Sequence, residues 1–153
     1  MKVLETRIPP PLVGLIGGAL AWLASSAFTP TTITFPVRLT AAIVLVLVGL
    51  VIAGAGVRTI RRADTTLNPL KPETSSALVT SGIYRYTRNP MYLGMATWLL
   101  AWSAWLGTPI GLLGAPLFML YMNQFQIGPE ERALRTLFGA EFEAYAARVR
   151  RWF

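Results

Sequence analysis

The chain of 153 residues contains no cysteine and no histidine, and it has only seven acidic residues. These absences exclude a disulfide, a thiolate nucleophile, a Ser-His-Asp triad and a zinc site built from Cys or His ligands. Any chemistry must therefore use carboxylates, tyrosines, arginines, amides or the backbone. The sequence also lacks a basic tract interleaved with aromatic residues, so nucleic acid is not an expected partner, and no metal is expected either.

Charged residues of either sign are few, and apolar residues make up more than half of the chain. Hydrophobic residues make up 54% of the chain, charged residues 14%, and the mean hydropathy is +0.50. This composition indicates an integral membrane protein. Four apolar stretches approach the roughly 20 residues that a spanning helix needs: 12–28, 39–57, 91–106 and 109–127. We predict an all-α fold, a single domain over 1–153 with four transmembrane helices.

The few charges are distributed asymmetrically about these spans. Of the 14 lysines and arginines, all except Arg38 fall on one side of the predicted membrane. The positive-inside rule then places both termini and the 58–88 segment in the cytoplasm. All acidic residues lie outside the spans on that same side, which argues against an ion-coupled transporter, because such a protein usually has an ionisable group near mid-membrane.

The end of the chain, 128–153, is predicted to be an amphipathic cytoplasmic segment at the membrane surface. Gly128-Pro129 should end the fourth span, and Glu130-Glu131 should begin a new helix at its positive end. Gly139 is a candidate break in that helix. The Arg-Arg-Trp-Phe terminus is interpreted as a membrane anchor, with Arg148, Arg150 and Arg151 on lipid headgroups. Apolar residues recur at helical spacing along the segment: Leu134, Leu137, Phe138, Phe142, Tyr145 and Val149.

A short turn at Gly107-Thr108 predicts that the third and fourth spans are antiparallel neighbours. Pro90 suits the first turn of the third helix, where a missing N–H costs little. The hairpin would bring two polar segments together at its cytoplasmic end, 82–94 and 128–139, and such a pair in so apolar a chain favours a ligand site. Small residues at close-packing spacing are expected at helix contacts: Gly14, Gly18, Gly54 and Gly56.

An ordered set of short motifs connects the chain to a known superfamily. The motifs are Thr65-Thr-Leu-Asn-Pro69, Leu78-Val-Thr-Ser-Gly-Ile-Tyr84, Arg88-Asn-Pro-Met-Tyr-Leu-Gly94, Glu130-Glu131 and Phe138-Gly139. In this order they resemble the isoprenylcysteine carboxyl methyltransferase and phospholipid methyltransferase superfamily of integral membrane enzymes. The resemblance covers about 65–153, and the first two spans match only as apolar helices.

The resemblance implies an enzyme that uses S-adenosylmethionine on the cytoplasmic side and methylates a lipophilic acceptor from the membrane. It implies cofactor-binding roles for Ser76, Ala77, Leu78, Val79, Tyr84, Asn89, Pro90, Met91, Tyr92, Glu130 and Glu131. Among these and their neighbours, the catalytic candidates are Arg88, Asn89 and Glu130, and Gln126 is placed on the substrate side. A carboxylate can pair with the cofactor's ammonium, and tyrosine faces tolerate a sulfonium. Methyl transfer needs mainly in-line positioning, so few acid-base groups are required.

Two positions depart from the pattern of the superfamily. Asn89 stands where the superfamily usually has the histidine of Arg-His-Pro, and Gln126 stands where the eukaryotic prenylcysteine enzymes have an arginine. The acceptor therefore stays open among a carboxylate, an amine, a thiol and a lipid headgroup. Phospholipid or small amine or thiol methylation is an alternative, and a non-catalytic membrane scaffold or carrier is another.

Overall fold

The computed structural model describes residues 5–64 and 75–153, and these residues form an all-helical fold without a strand. The Thr65 to Pro69 motif lies outside them. Five α-helices follow in order, α1 Pro10–Ser25, α2 Phe35–Arg62, α3 Pro90–Leu106, α4 Gly114–Met122 and α5 Gly128–Arg148. Three shorter turns join them, namely 3-10 turns at Gly82–Arg85 and Pro109–Leu113 and a π turn at Asn123–Ile127. The prediction of an all-α fold is confirmed.

The helix α2 is long and apolar enough to cross a membrane, and among the described helices it alone meets both criteria. Its 28 residues would extend about 42 Å at the helical rise. The helix α1 is apolar but shorter. Large apolar side chains on both helices are exposed, including Leu15 and Val51 at 71% each, as expected for helices solvated by lipid. The four-span arrangement stays a prediction.

The predicted helix break at Gly128-Pro129 is wrong, because a π turn keeps the helix continuous there. Pro129 has no N–H, and its ring would clash with the Phe125 carbonyl four residues earlier. The backbone widens instead, and the Gly128 N–H donates to the carbonyl of Asn123, five residues back. The Phe125 carbonyl accepts a hydrogen bond from the Thr6 N–H at 3.0 Å. The break at Gly139 is confirmed, since its backbone is non-helical with φ 48° and ψ −121°.

The helix α3 packs at the centre of the bundle, in contact with α1, α2 and α4. It approaches α2 so closely that a Cβ at Gly49 would lie 2.5 Å from the Trp98 ring and 2.9 Å from the Gly94 carbonyl oxygen. Gly18 and Gly56 also meet α3, but a Cβ at Gly14 or Gly54 would have no neighbour within 4 Å among the described residues. The predicted packing role of Gly14 and Gly54 is therefore not found in 5–64 and 75–153. The buried core joins α3 to α4 and the π turn through Tyr92, Ala96, Leu99, Ala115, Phe118, Met122 and Ile127.

The turn after α3 folds as the sequence predicts. Gly107 has a positive φ of 67° and ends the helix in the left-handed conformation that glycine favours. The Arg38 guanidinium donates to the Leu106 carbonyl at 3.2 Å, and the Thr31 N–H donates to the Gly107 carbonyl at 2.6 Å. The chain therefore reverses, and the end of α4 returns toward Pro90 at the start of α3.

The close contact of α2 with α3 can be tested by comparing alanine substitutions at two glycines of α2. We expect Gly49→Ala to destabilise the fold by about 1–3 kcal/mol, because the added methyl overpacks the contact with Trp98. Gly54→Ala, on the same helix but in open space, should be neutral or stabilise by up to about 1 kcal/mol through helix propensity. Thermal unfolding in detergent measures both, and equal effects would contradict the close approach.

Candidate functional site

Two side chains converge on one carboxylate oxygen at the meeting point of α3, the π turn and α5. The Tyr92 hydroxyl donates to Glu130 Oε1 at 2.5 Å, and the Gln126 amide donates to the same oxygen at 2.6 Å. Gln126 lies one helical turn before Glu130, which puts both side chains on one face, and the hairpin supplies Tyr92 from the first turn of α3. The two polar segments of the sequence thus meet.

The electrostatics of Glu130 are those of a carboxyl that lacks a positive partner. Burial raises its pKa to about 7, although hydrogen bonds from Gln126 and Tyr92 oppose the rise, and the neighbouring charge of Glu131 adds to it. The pKa of the Tyr84 hydroxyl is also raised, by burial first and then by Tyr145 and Glu130. None of the ion pairs within the described chain includes Glu130.

The adjacent carboxylate, Glu131, is in the opposite situation. Arg88 donates to it at 2.7 Å, and Arg151 donates through two nitrogens at 2.8 and 2.7 Å. Burial alone would raise the pKa of Glu131, but the hydrogen bonds from Arg151 and Arg88 prevail and hold it below its usual range. The hydrogen bond to Glu131 in turn raises the pKa of Arg151. Glu131 is a structural anion with its charge already balanced.

Arg88 uses its second terminal nitrogen to hold the C-terminal end of α5. This nitrogen, Nη1, donates to the carbonyl of Ala146 at 2.9 Å and to that of Val149. A cation at this end also suits the helix dipole. The Arg88 backbone N–H donates to the Arg150 carbonyl at 3.0 Å. The predicted catalytic residue Arg88 therefore binds the terminal residues Val149–Phe153, here called the C-terminal strap.

Asn89 and its neighbour complete the attachment of the C-terminal strap. The Asn89 amide and the Thr87 hydroxyl both donate to the Arg151 carbonyl at 3.0 Å. The Trp152 indole donates to the Asn123 side chain on the π turn at 3.1 Å. The interpretation of Arg151 and the Arg-Arg-Trp-Phe terminus as a lipid anchor is thus wrong for Arg151 and Trp152, whose polar groups bind within the protein.

The other predicted site residues contact other parts of the fold. Ser76 donates to the Asp64 carbonyl at 3.1 Å, and Leu78 packs against the cluster of Phe142, Tyr145 and Val149. Ala77 and Val79, on either side of Leu78, are partly buried. The Tyr84 carbonyl accepts from the Tyr145 hydroxyl at 2.8 Å, and Pro90 and Met91 lie against Gly56 of α2.

The predicted site residues thus separate into two groups. Tyr84, Tyr92, Gln126 and Glu130 form a polar cluster around one carboxyl, and Arg88, Asn89 and Glu131 hold the C-terminal strap beside it. Over 5–64 and 75–153, no group of three acidic side chains could hold a metal ion. The cluster offers a carboxylate, an amide and two phenols, which suit a cationic ligand. The roles of Arg151, Trp152 and Asn123 depend on long-range contacts and have no local signal in the sequence.

The role of Asn89 can be tested by replacing its side-chain amide, which is the hydrogen-bond donor to the Arg151 carbonyl. In Asn89→Asp a carboxylate would face the Arg151 carbonyl. We therefore expect the free energy of unfolding to fall by about 1–3 kcal/mol and the C-terminal strap to be released. Trypsin should then cleave faster after Arg150 and Arg151, as followed by mass spectrometry. Asn89→His is the control, because an imidazole N–H can replace the amide donor. Unchanged cleavage in Asn89→Asp would contradict this role.

The adjacent glutamates should respond oppositely to neutralisation. Because the folded pKa of Glu130 is about 7 against an ordinary 4.5, its ionisation opposes folding, and stability falls as pH rises through 7. Above pH 7 the cost is up to about 3 kcal/mol. We expect Glu130→Gln to raise the unfolding temperature at pH 8 and to leave it unchanged at pH 4.

Glu131→Gln is the matched variant, and it should destabilise by about 3 kcal/mol at pH 8, since it leaves Arg88 and Arg151 without their counter-ion. Circular dichroism melts of the two variants and the parent give the comparison. If both variants were stabilised, or both destabilised, at pH 8, the result would contradict the conclusion that Glu131 is held as an anion by its arginines whereas ionisation of Glu130 opposes folding.

The sequence is similar to several known proteins. The sequence profile of the phospholipid methyltransferase family matches residues 37–141. A probable protein-S-isoprenylcysteine O-methyltransferase of Oryza sativa is 33% identical over 107 residues, which are 70% of this chain and 56% of the rice protein. Protein-S-isoprenylcysteine O-methyltransferase A of Arabidopsis thaliana is 29% identical over 107 residues, 70% of this chain and 54% of that protein.

A protein of Haemophilus influenzae described as uncharacterized is 48% identical over 62 residues, which are 40% of this chain and 98% of that protein. In contrast, this chain spans only about half the length of the plant relatives. The profile covers more than half of the chain and includes α3, the π turn and both glutamates. The chain belongs to the phospholipid methyltransferase family.

Proposed function

We propose that the protein is a membrane methyltransferase that transfers a methyl group from S-adenosylmethionine to a lipophilic acceptor, at the cluster around Glu130. The observation that carries the proposal is the contrast between two neighbouring carboxylates. Glu131 is paired with two arginines, whereas Glu130 is partly buried, is held by neutral donors, and has no ion pair with any residue of 5–64 or 75–153. A desolvated carboxyl of this kind gains most from a ligand that brings a positive charge.

The residues present fit this methyl donor. Its ammonium can pair with Glu130, and the aromatic rings of Tyr84 and Tyr92, both buried, can face a cationic sulfur. For Arg88 the expectation was either contact with polar groups of the cofactor or a role in loop geometry, and the second is proposed here, because both of its terminal nitrogens bind Glu131 or the C-terminal end of the chain. Glu131 likewise acts by holding Arg88 and Arg151.

The protein's part in the reaction is binding and orientation. When bound, S-adenosylmethionine would supply a methyl group on a sulfonium: the acceptor lone pair would bond to the methyl carbon while the carbon–sulfur bond breaks, and the sulfur would leave as a neutral thioether. Glu130 fixes one end of the donor, and Tyr92 and Gln126 hold that carboxylate in place. A pre-oriented, largely dry site of this kind lowers the barrier mainly through proximity and alignment. Ser76 to Val79 are proposed as a further wall of the donor pocket.

The acceptor is proposed to be lipophilic and to enter from the bilayer. The apolar helices support this, as do relatives named for isoprenylcysteine O-methylation and a family named for phospholipid methylation. Gln126 is proposed to lie on the acceptor side of Glu130. The asymmetry of basic residues supports four spans with both termini and the site in the cytoplasm. A carboxylate, amine, thiol or lipid headgroup is compatible with this site.

The proposal predicts pH-dependent binding of the donor. A bound cation lowers the pKa of Glu130, so binding favours the ionised form, and affinity should fall about tenfold per pH unit below 7. Isothermal titration of S-adenosylmethionine in detergent at pH 5.5, 6.5 and 8 measures this. At pH 6.5, buffers of different ionisation enthalpy should reveal proton release on binding.

Glu130→Gln should bind at least tenfold more weakly at pH 8 and lose the pH dependence, whereas Glu143→Gln, at an exposed carboxylate of α5, should behave as the parent. Absence of binding by the parent protein would refute the proposal. A radiolabelled methyl donor incubated with membrane extracts then identifies the acceptor, and solute flux in proteoliposomes without methyl transfer would favour the carrier alternative.

A further inference from the structure

The π turn Asn123–Ile127 sets the register between α4 and α5. The Gly128 N–H donates to the Asn123 carbonyl, five residues back rather than four. A turn of this kind adds one residue to the helix, and it rotates whatever follows by about 100° relative to an uninterrupted α-helix. The direction in which Glu130 points from α5 therefore depends on the geometry of this turn.

The π turn is held from outside the helix by a contact near the N-terminus. Pro129 has no N–H to donate to the carbonyl four residues before it, so the helix is weakened at this point. The Phe125 carbonyl accepts a hydrogen bond from the Thr6 N–H at 3.0 Å. One side of the turn is thus fixed by a residue that is distant in the sequence.

A second contact on the π turn comes from the C-terminal strap. The Trp152 indole N–H donates to the side-chain oxygen of Asn123 at 3.1 Å, and Asn123 is the first residue of the turn. The indole ring packs against the buried core that includes Met122 and Ile127. Trp152 thus holds the start of the turn with its polar group while its ring packs on the core.

The hydrogen bond that depends on the π turn is that of Gln126. This residue lies inside the turn, is 2% exposed, and donates to Glu130 Oε1 at 2.6 Å. The second donor to the same oxygen, Tyr92, lies on α3. Because a hydrogen bond weakens steeply as its length and angle depart from the ideal, a shift of the turn would loosen the Gln126 bond first.

The C-terminal strap connects the π turn to the start of α3. The Arg88 backbone N–H and the Asn89 amide donate to the carbonyls of Arg150 and Arg151, each at 3.0 Å. These bonds fix the strap directly before the helix that carries Tyr92, and the next residue of the strap is Trp152. The strap therefore sets the distance between the two elements that supply donors to Glu130.

We propose that Trp152 is a positioning residue of the candidate site, which holds the π turn so that Gln126 and Tyr92 converge on one oxygen of Glu130. Its effect on Glu130 is transmitted through Asn123 and Gln126. The inference deepens the proposed function and rests on it for the statement that this arrangement binds the methyl donor. The arrangement itself is measurable without the donor.

Infrared spectroscopy of the Glu130 carboxyl tests the arrangement in the absence of S-adenosylmethionine. The full chain in nanodiscs is measured at pH 5.5, below the pKa of Glu130 of about 7, and the carboxyl C=O band is identified by its loss in Glu130→Gln. Trp152→Phe keeps an aromatic ring but removes the indole N–H. We expect the band to move to higher frequency, because Glu130 loses the Gln126 hydrogen bond. An unchanged band would overturn the proposal.

Trp102→Phe is the matched control. The Trp102 indole N–H also donates to a backbone carbonyl, that of Gly18, at 3.0 Å. It lies ten residues after Tyr92 on α3, which is about 15 Å along the helix. This variant removes a comparable hydrogen bond and should leave the Glu130 band in place. An equal shift in both variants would indicate a general loosening of the fold and would contradict a specific role of Trp152.

Asn123→Ala removes the same hydrogen bond from its acceptor side. It should shift the Glu130 band in the same direction and by as much as Trp152→Phe does. The double variant should show no further shift, because both substitutions remove one shared interaction. Additive shifts would mean that Trp152 acts by another route, and the proposed path through Asn123 would be refuted.

Donor binding measures the functional consequence. Isothermal titration of S-adenosylmethionine at pH 8 should give a Kd about fivefold weaker in Trp152→Phe than in the parent, whereas Trp102→Phe should bind as the parent does. In a Gln126→Leu background the effect of Trp152→Phe should disappear, because the bond that it supports is already absent. A fivefold loss that persists in this background would refute positioning through Gln126.

The two measurements separate this inference from the proposed function. If the Glu130 band shifts in Trp152→Phe but the parent binds no S-adenosylmethionine, the proposed function is refuted and the arrangement held by Trp152 is supported. If the parent and Trp152→Phe bind the donor equally well, the positioning role is refuted and the proposed function is supported.

Discussion

The buried contact of Glu131 with Arg88 and Arg151 is the constraint on which the rest of the site depends. It joins the loop before α3, the first turn of α5 and the C-terminal strap in one unit. A carboxylate with these partners is stable where it is nearly dry, and removal of the carboxylate would leave both guanidinium groups without their counter-ion. Through Trp152 and Asn123 the same unit supports the π turn, so the placement of Glu130 depends on residues at the far end of the chain.

The two adjacent glutamates have identical side chains but opposite electrostatic environments, because they point to different sides of α5. Successive residues on an α-helix point about 100° apart, so Glu130 faces Tyr92 and Gln126 while Glu131 faces two arginines. One carboxylate has its charge balanced and stabilises the fold. The other is held at a cost to stability, as is typical of groups reserved for a ligand.

Much of the fold could be predicted from local patterns, and the exceptions have identifiable causes. Apolar run lengths predicted the helices, and Pro90 and Gly107 predicted where α3 begins and ends. Pro129 was expected to break a helix, but the π turn absorbed the lost hydrogen bond and the N-terminal segment bound the free Phe125 carbonyl. The partner of that carbonyl, Thr6, lies more than 100 positions away, and no local pattern indicates this contact.

The helical character, the abundance of apolar residues, the uneven distribution of basic residues and the presence of aromatic and acidic residues in two short segments could all be predicted from composition, spacing and short motifs. Tertiary structure decided which glutamate is neutralised, since charge balance is set by neighbours in space: Arg151 lies 20 residues from Glu131 and Arg88 lies 43. It also decided that Asn89 holds a carbonyl of the C-terminal strap. Desolvation and pairing are properties of the packed site, and a linear pattern of residues does not contain them.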